Sequence, residues 1–244
     1  MKTTERFTGK ADVYEQSRPD YPAEAIACIK EKCGLAPGCA VADIGAGTGK
    51  FTRLLMNAGW DVTAIEPNDD MRNALQLNFP RLRIVGATAE ATTLPDGALD
   101  AITVAHAFHW FDHAACKVEF ARMLKPGGKI ALLWNMRDES DTLTREHGAL
   151  MKKHRVRGVV PEMENYREVY EAFFRSYEMF RFVNKVRMDE AQLIALARSR
   201  SYSPLPGDAK YFELERAVKE LCAAHAQDGF VTYCYHTNVV IGEA

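Results

Sequence analysis

Short apolar runs alternate with amphipathic stretches over the first 134 positions of the chain. Short runs rich in β-branched residues predict buried strands, whereas apolar residues spaced three and four apart predict helices. The predicted strands are residues 41–44, 61–65, 83–86, 99–105 and 129–134, and the predicted helices are residues 22–33, 49–58, 69–78 and 112–124. This alternation predicts a parallel sheet with helices on both faces.

The pattern changes after Arg137. Two charged, helix-like segments reach to about residue 177, with a break near 158–161 and no strand between them. A strand at 179–188, a helix at 189–199, the loop SYSPLPGD, a helix at 209–225 and a final strand at 230–242 complete the chain. In the final run, apolar and polar residues partly alternate, and β-branched and aromatic residues are frequent. This composition favours a strand that pairs in antiparallel fashion with residues 179–188.

These elements predict an α/β fold: a doubly wound, Rossmann-like, mostly parallel seven-stranded sheet with an antiparallel C-terminal strand and a helical cap insertion. We expect one domain over residues 1–244, with a leader at 1–21 and the cap at 138–177. The cap follows the fifth strand, so it should cover the carboxyl edge of the sheet, where such folds bind ligands.

The composition is globular, with 47% apolar and 26% charged residues among 244. A formal charge of −2 without a long basic run predicts no nucleic-acid partner. The polar N-terminus lacks a signal-peptide core and no run reaches ~18 apolar residues, which predicts a cytoplasmic protein without membrane contact. The six cysteines show neither zinc nor disulfide spacing, so no metal is predicted. No pattern indicates the oligomeric state.

Three glycines at alternate positions follow the first predicted strand, in the stretch VADIGAGTGKF. Gly45, Gly47 and Gly49 therefore lie in the first strand-to-helix turn, where free amides and the helix dipole attract an anionic group. Glu66 ends the second strand 21 residues after Gly45, the distance from which a carboxylate accepts both hydroxyls of a ribose. The two features together predict a ligand with an adenosine half.

Longer stretches around these features are VADIGAGTGKFTRLL, AIEPNDDMR, GATAEATTLPDGALDAITVAHAFHWFD and FARMLKPGGKIALLWNMRD, with FTGKADVYEQSRPDYP before them. Together they resemble class I S-adenosylmethionine-dependent methyltransferases, in particular the small-molecule branch that includes trans-aconitate methyltransferases, and FTGKADVYEQSRPDYP resembles the leader of that branch. The resemblance implies a methyltransferase that uses S-adenosylmethionine, releases S-adenosylhomocysteine and acts on a small molecule, with O-methylation of a carboxylic acid as the candidate reaction.

The resemblance also implies a cofactor site at the carboxyl ends of the strands. The implied contacts are Asp43, Gly45 and Gly47 at the methionine half, Glu66 at the ribose, Pro67 and Met71 beside the adenine, Ala89 and Glu90 at the adenine edge, and Ala105 through its carbonyl. Where the family often has a polar residue such as Gln, this chain has His106.

Methyl transfer from a sulfonium depends mainly on positioning of the acceptor, because the methyl group is already activated. A base is needed only for an acceptor that is protonated at neutral pH. His109 is the preferred candidate for this base, and His106 is the second choice. The candidate substrate contacts are Trp110 as a wall, Tyr14 and Arg18 in the leader, Arg137, and Ser201, Tyr202 and Ser203 in the late loop. Core packing or surface exposure remains the alternative for each of these residues.

Two other functions remain open at this point. A nicotinamide-dependent oxidoreductase on the same core would be expected to show G-x-G-x-x-G and often a Tyr-x-x-x-Lys pair, both of which the sequence lacks. A non-catalytic nucleoside-binding module would retain the same pocket while remaining closed to an acceptor. The sequence alone does not separate this second alternative from an enzyme.

Overall fold

The computed structural model describes residues 19–156, 166–200 and 202–244. Its strands are β1 (Ala40–Ile44), β2 (Asp61–Ile65), β3 (Arg83–Val85), β4 (Leu99–Ala105), β5 (Leu124–Arg137), β6 (Ser176–Met188) and β7 (Val231–Glu243). The predicted leader contacts Tyr14 and Arg18, the candidate Ser201 and the predicted break at 158–161 lie outside the described residues.

The strands pair in the order β3-β2-β1-β4-β5-β7-β6. The pairs from β3 to β5 are parallel, whereas β7 is antiparallel to both of its neighbours. The predicted fold class is confirmed. Because β7 runs in the opposite direction, its amino end lies beside the carboxyl ends of β5 and β6, with Tyr235 opposite Arg137 and Val231 opposite Met188.

Helices connect most of the strands. They are α1 (Ala23–Lys32), α2 (Lys50–Asn57), α3 (Asp69–Asn78), α4 (His113–Met123), α5 (Thr142–Lys153), α6 (Tyr166–Phe173), α7 (Glu190–Arg198) and α8 (Lys210–His225). A short 3₁₀ helix, Phe108–Trp110, was not expected from the sequence. Within the described ranges, no helix is long and apolar enough to cross a membrane.

The sequence KPGG ends α4 as predicted, but β5 begins earlier than predicted. Leu124 already pairs with Leu99 of β4, and the next pair joins Lys129 to Ala101. Residues 125–128 therefore form a bulge opposite Asp100, whose carboxylate accepts a hydrogen bond from Lys125 Nζ at 2.8 Å. A proline and two glycines are suited to such a bulge, because its residues do not take part in the regular hydrogen bonds between the strands.

Alternate strand residues face opposite sides of the sheet and divide its core in two. On one side, Phe120 of α4 and Phe173 of α6 pack in the cluster that contains Ile102 of β4. On the other side, Ile29 of α1 packs in the cluster that contains Ala101. Both faces of the sheet are therefore covered, and its carboxyl edge is left for a site.

A third apolar cluster lies at the carboxyl ends of β5 and β6. Leu143 of α5, Leu193 of α7 and Val218 of α8 pack there with Tyr233 and Tyr235 of β7. This is the edge where the sequence predicts a cap, although α6 packs on the sheet face instead. The domain and cap boundaries themselves stay predictions.

Candidate functional site

A pocket opens at the carboxyl edge of the sheet, beside the ends of β1, β4 and β5. Its wall is formed by Pro19, Tyr21, Asp43, Gly45, Ala46, Gly47, Thr48, Lys50, Phe51, Ala105, His106, Asn135, Arg200 and Tyr235. Four predicted cofactor residues, Asp43, Gly45, Gly47 and Ala105, are therefore brought together in one wall.

The three glycines of the turn have different neighbours. A Cβ at Gly45 would lie 2.5 Å from the Cβ of Ala107, and one at Gly49 would collide with Leu75 and Phe79. A Cβ at Gly47 would instead meet nothing within 4 Å, and the φ of Gly47 is +59°. Gly45 and Gly49 thus permit close packing, whereas Gly47 leaves open space beside the pocket.

Asp43 is the buried acid at the end of β1. Its carboxylate accepts hydrogen bonds from the hydroxyls of Thr52, at 2.6 Å, and Thr103, at 3.4 Å. Burial raises the pKa of Asp43 to about 7, against the lowering effect of these two hydrogen bonds. The carboxyl group is therefore balanced between its two protonation states near neutral pH.

Glu66 connects the glycine turn to the end of β2. One carboxylate oxygen accepts a hydrogen bond from the N–H of Gly47 and the other from the N–H of Asn68, both at 2.9 Å. Burial raises the pKa of Glu66, and these backbone hydrogen bonds oppose the shift. Because a carboxylate oxygen has two lone pairs, Glu66 retains acceptor capacity for hydroxyl groups.

The sequence of the chain is similar to those of known methyltransferases. Residues 42–132 match the family model described as a methyltransferase domain. An uncharacterized methyltransferase of Mycobacterium tuberculosis, strain H37Rv, is 35% identical over 226 residues, which cover 90% of this chain and 86% of the relative. The chain belongs to the S-adenosylmethionine-dependent methyltransferases.

Further relatives extend this result. An uncharacterized methyltransferase of Schizosaccharomyces pombe is 28% identical over 229 residues, 91% of each chain. A proposed type II methyltransferase from Anaeromyxobacter dehalogenans has a TM-score of 0.65 at 20% identity and covers 93% of this chain and 97% of its own. A Haemonchus contortus phosphoethanolamine N-methyltransferase, solved with S-adenosylhomocysteine, has a TM-score of 0.55 at 13% identity. The match covers 98% of this chain and 59% of that one. These structures share the fold.

The described residues of the methyltransferase fit S-adenosylmethionine chemically. The open space at Gly47 adjoins the glycine turn, and Asp43 supplies a buried carboxyl group in the same wall. Glu66 adds the acceptor capacity that ribose hydroxyls require. Donors for a carboxylate are available at the amino end of α2, where backbone amides and Lys50 lie beside the pocket.

Glu66 lies outside the lining of this pocket, behind Gly47, and the four predicted adenine contacts lie outside it as well. Ala89 is buried in the first core cluster, and Met71 is buried at the start of α3. The Pro67 carbonyl accepts a hydrogen bond from Arg72 at 2.7 Å. Glu90 accepts one from the N–H of Asp112 at 3.0 Å and so joins the loop after β3 to the start of α4. An adenine contact stays a prediction for all four residues.

The two candidate histidines are placed differently. His106 lines the pocket, and its Nε2 accepts a hydrogen bond from the backbone N–H of Asn135 at 2.7 Å. His109 lies in the 3₁₀ helix, with its ring centroid 4.5 Å from that of Trp110, and neither side chain belongs to the lining. The φ of His106, +56°, turns the chain here, which the sequence pattern did not reveal.

The remaining substrate candidates lie near the third cluster. Arg137 ends β5, and its Nε would lie 3.3 Å from a Cβ at Gly148 of α5. Tyr202 is half-buried beside that cluster, with Arg155 over its ring at 5.7 Å, and Ser203 is buried and donates to the carbonyl of Ala197. None of these three candidates is in the pocket lining.

Sequence reasoning missed several residues of the pocket wall, notably Tyr21, Lys50, Asn135, Arg200 and Tyr235. Two of them carried a usable signal. Asn135 directly follows the predicted fifth strand, and an antiparallel final strand brings its amino end, including Tyr235, to the same sheet edge. Arg200 gave no such signal because it lies in an irregular segment after α7.

In the described ranges, no group of three or more His, Cys, Asp or Glu side chains could hold a metal ion. The six cysteines form no disulfide. Burial raises the pKa of the Cys33 thiol to about 12, which disfavours the reactive thiolate. The pocket wall itself presents carboxyl, amide, imidazole and guanidinium groups, from Asp43, Asn135, His106 and Arg200.

Proposed function

We propose that this methyltransferase transfers the methyl group of S-adenosylmethionine to a carboxylate oxygen of a small molecule. The observation that carries the proposal is the composition of the pocket wall. The glycine turn and Asp43 are joined in that wall by Arg200, from the segment after α7, and by Tyr235 of β7. A guanidinium and a phenol are suited to hold a carboxylate acceptor.

In the proposed arrangement, each part of S-adenosylmethionine is bound by residues of matching chemistry. Ionised Asp43 accepts from the ammonium group, the backbone of Gly45 and Gly47 leaves room for the methionine half, and Glu66 accepts from the ribose. Pro67, Met71, Ala89 and Glu90 are proposed to surround the adenine, and Ala105 contributes its carbonyl. These assignments are supported by the open backbone at Gly47 and the lone pairs of Glu66.

The proposed reaction needs no general base. The bound cofactor supplies an activated methyl group, so that a C–O bond to the acceptor forms as the S–C bond breaks and S-adenosylhomocysteine is released. A carboxylate is already ionised near neutral pH and attacks without losing a proton. The Nε2 of His106 accepts a backbone hydrogen bond, so this nitrogen is not available as a base while that bond is kept. The contribution of the protein is orientation.

The test is a comparison of matched acceptors. Octanoate and benzoate would be incubated with the enzyme and S-adenosylmethionine, in parallel with 1-octanol and benzyl alcohol. The proposal expects S-adenosylhomocysteine to form with the acids, together with a methyl ester that releases methanol in alkali. Turnover with the alcohols but not with the acids would contradict it.

His109 provides a second readout. In the proposed reaction, His109→Gln should leave turnover of the acids close to that of the wild type, because no proton has to be removed. A large loss with acids, at unchanged cofactor affinity, would restore the catalytic role that the sequence predicts for His109.

A further inference from the structure

A polar stripe continues from the pocket along one face of the sheet. Residues that pair directly across antiparallel strands place their side chains on the same face. Asn135 of β5 is paired with Thr237 of β7, and Arg137 is paired with Tyr235. Since Asn135 and Tyr235 line the pocket, Arg137 is the next β5 side chain on that face beyond the pocket wall.

Among the described residues, Arg137 has one distant carboxylate as an ionic partner. Its Nε is buried and has no hydrogen-bond partner in the same ranges, and its ion pair with Glu139 spans 3.9 Å. Gly148 gives the guanidinium room to lie against α5, because a Cβ there would be 3.3 Å from Nε. The acids on either side of Glu139 have other partners: Asp138 accepts from Ser140 and pairs with His236, and Asp141 caps α5.

His147 of α5 directly precedes Gly148, the residue against which the Arg137 guanidinium lies. It is completely buried, and its Nδ1 is 2.9 Å from the hydroxyl of Tyr233, whereas its Nε2 has no partner in the part of the chain that the structure describes. Burial and the positive charges of Arg200 and Arg137 lower the pKa of His147 to about 3. The imidazole is therefore neutral and adds a hydrogen-bonding nitrogen without a further positive charge.

Tyr233 links His147 to the pocket wall. Its hydroxyl lies 2.9 Å from His147 Nδ1, and its ring lies 4.8 Å from that of Tyr235, which lines the pocket. Burial raises the pKa of the Tyr233 hydroxyl, and the charges of Arg200 and Arg137 both oppose this shift. Because Arg137 pairs with Tyr235 across the strands, Arg137, His147 and Tyr233 form a group just outside the lining to which Arg200 and Tyr235 belong.

We propose that Arg137, Arg200 and His147 form a specificity site that binds an anionic group of the methyl acceptor. The inference rests on the proposed function for the identity of the acceptor. The Arg137 Nε–H is a directed donor, as is the His147 Nε2–H in the tautomer in which Tyr233 donates to Nδ1, and the Arg200 guanidinium supplies charge. An uncharged isostere would bring no charge to meet Arg137 and the His147 N–H, so the site discriminates against it.

The test measures binding rather than turnover. Succinate and succinamide would be titrated calorimetrically into the enzyme saturated with S-adenosylhomocysteine. We expect succinate to bind and succinamide not to bind. Arg137→Gln and Arg200→Gln should each lower the affinity for succinate about tenfold or more. Arg145→Gln, on the exposed side of α5, is the matched control and should bind succinate as the wild type does.

The affinity for S-adenosylhomocysteine should remain unchanged in all three variants, which shows that a loss is not due to unfolding. Arg137→Lys, which keeps the charge but not the planar fork, should recover part of the succinate affinity. Succinate binding that neither Gln variant alters, or equal binding of succinamide, would overturn the site. If no carboxylic acid is methylated but succinate binding still depends on both arginines, the reaction proposed above is wrong and this site stands.

Discussion

The carboxylate of Glu66 accepts a hydrogen bond from the backbone N–H of Gly47, 19 positions earlier in the chain, at 2.9 Å. Its second oxygen accepts from the N–H of Asn68, also at 2.9 Å. A single buried carboxylate therefore fixes the glycine turn relative to the end of β2. Those are the two walls between which we place the ribose.

The first prediction concerns this carboxylate. Glu66→Gln keeps the shape of the side chain but removes its charge, and it turns an N–H group toward one of the two backbone donors. We expect the affinity for S-adenosylhomocysteine to fall by about ten- to a hundredfold, roughly 1.5 to 3 kcal/mol. Calorimetric titration measures this loss. Asp69→Asn, in the same turn and with its carboxylate exposed, is the control, and equal affinity of the two variants would contradict the ribose assignment.

The second prediction uses two glycines with nearly the same φ angle. Gly47 has φ +59° and Gly97 has φ +58°, and a Cβ would meet nothing within 4 Å at either position. Substitution by alanine should therefore cost a similar amount of stability at both, about 1 kcal/mol. Only Gly47 lines the pocket, so only Gly47→Ala should also weaken binding of S-adenosylhomocysteine.

Chemical denaturation of the two variants measures the backbone strain that alanine introduces, and calorimetry measures whether its methyl group obstructs S-adenosylhomocysteine. If Gly97→Ala weakened cofactor binding as much as Gly47→Ala does, the effect would come from general destabilisation, and the cofactor would not approach Gly47. The two variants can be compared because the positions share their φ angle and the open space around a Cβ, and differ in whether they line the pocket.

The fold was predictable because its signals are local. The predicted ranges 61–65, 69–78 and 99–105 agree with β2, α3 and β4 at both ends. In each case an apolar run or helical period is bounded by Gly, Pro or a capping residue, as where the side chain of Asn68 accepts from the N–H of Met71. The glycine turn and Glu66 were predictable for the same reason.

One side of the pocket wall was less predictable, because it is assembled from distant parts of the chain. Asn135 comes from β5, Arg200 from the segment after α7, and Tyr235 from β7. That His106 rather than His109 lines the pocket depends on a positive φ at His106, which no periodicity encodes. Long-range pairing decides these positions, so the sequence predicted the glycine-turn side of the wall more fully than this one.

The third prediction follows from the raised pKa of Asp43. Its pKa rises from 3.8 to about 7 on folding, so the unfolded chain releases this proton at lower pH than the folded chain does. Between these values the unfolded state binds fewer protons, and the free energy of unfolding therefore falls as the pH rises, by up to about 1.4 kcal/mol per pH unit.

Asp43→Asn removes this titration. Relative to the wild type, the variant should gain stability steadily between about pH 5 and about pH 7, and the difference should level off above that range. Urea denaturation of both proteins at several pH values measures it. A difference that does not change with pH would show that Asp43 titrates alike in the folded and unfolded chains.

The fourth prediction concerns the segment that precedes α1. The carbonyl of Asp20 accepts hydrogen bonds from Asn184 Nδ2, at 2.7 Å, and Asn135 Nδ2, at 3.3 Å. The Asp20 carboxylate accepts from Arg53 of α2 at 3.0 Å, and Tyr21 packs edge-on against Phe51 at 4.8 Å. Residues 19–21 are thus held by side chains of β5 and β6 on one side and of α2 on the other, with Pro19 and Tyr21 in the pocket wall.

Removing the amide in Asn184→Ala should destabilise the protein by about 1 to 3 kcal/mol, because it takes away the shorter of the two hydrogen bonds to a half-buried carbonyl. It should also weaken S-adenosylhomocysteine binding, since the pocket wall on both sides of Asp20 loses its fixed position. Asn238→Ala, which removes only an exposed contact with Arg181, should change stability within about 0.5 kcal/mol. Equal losses in the two variants, measured by urea denaturation and calorimetry, would mean that the Asn184 bond to Asp20 does not hold this part of the pocket wall in place.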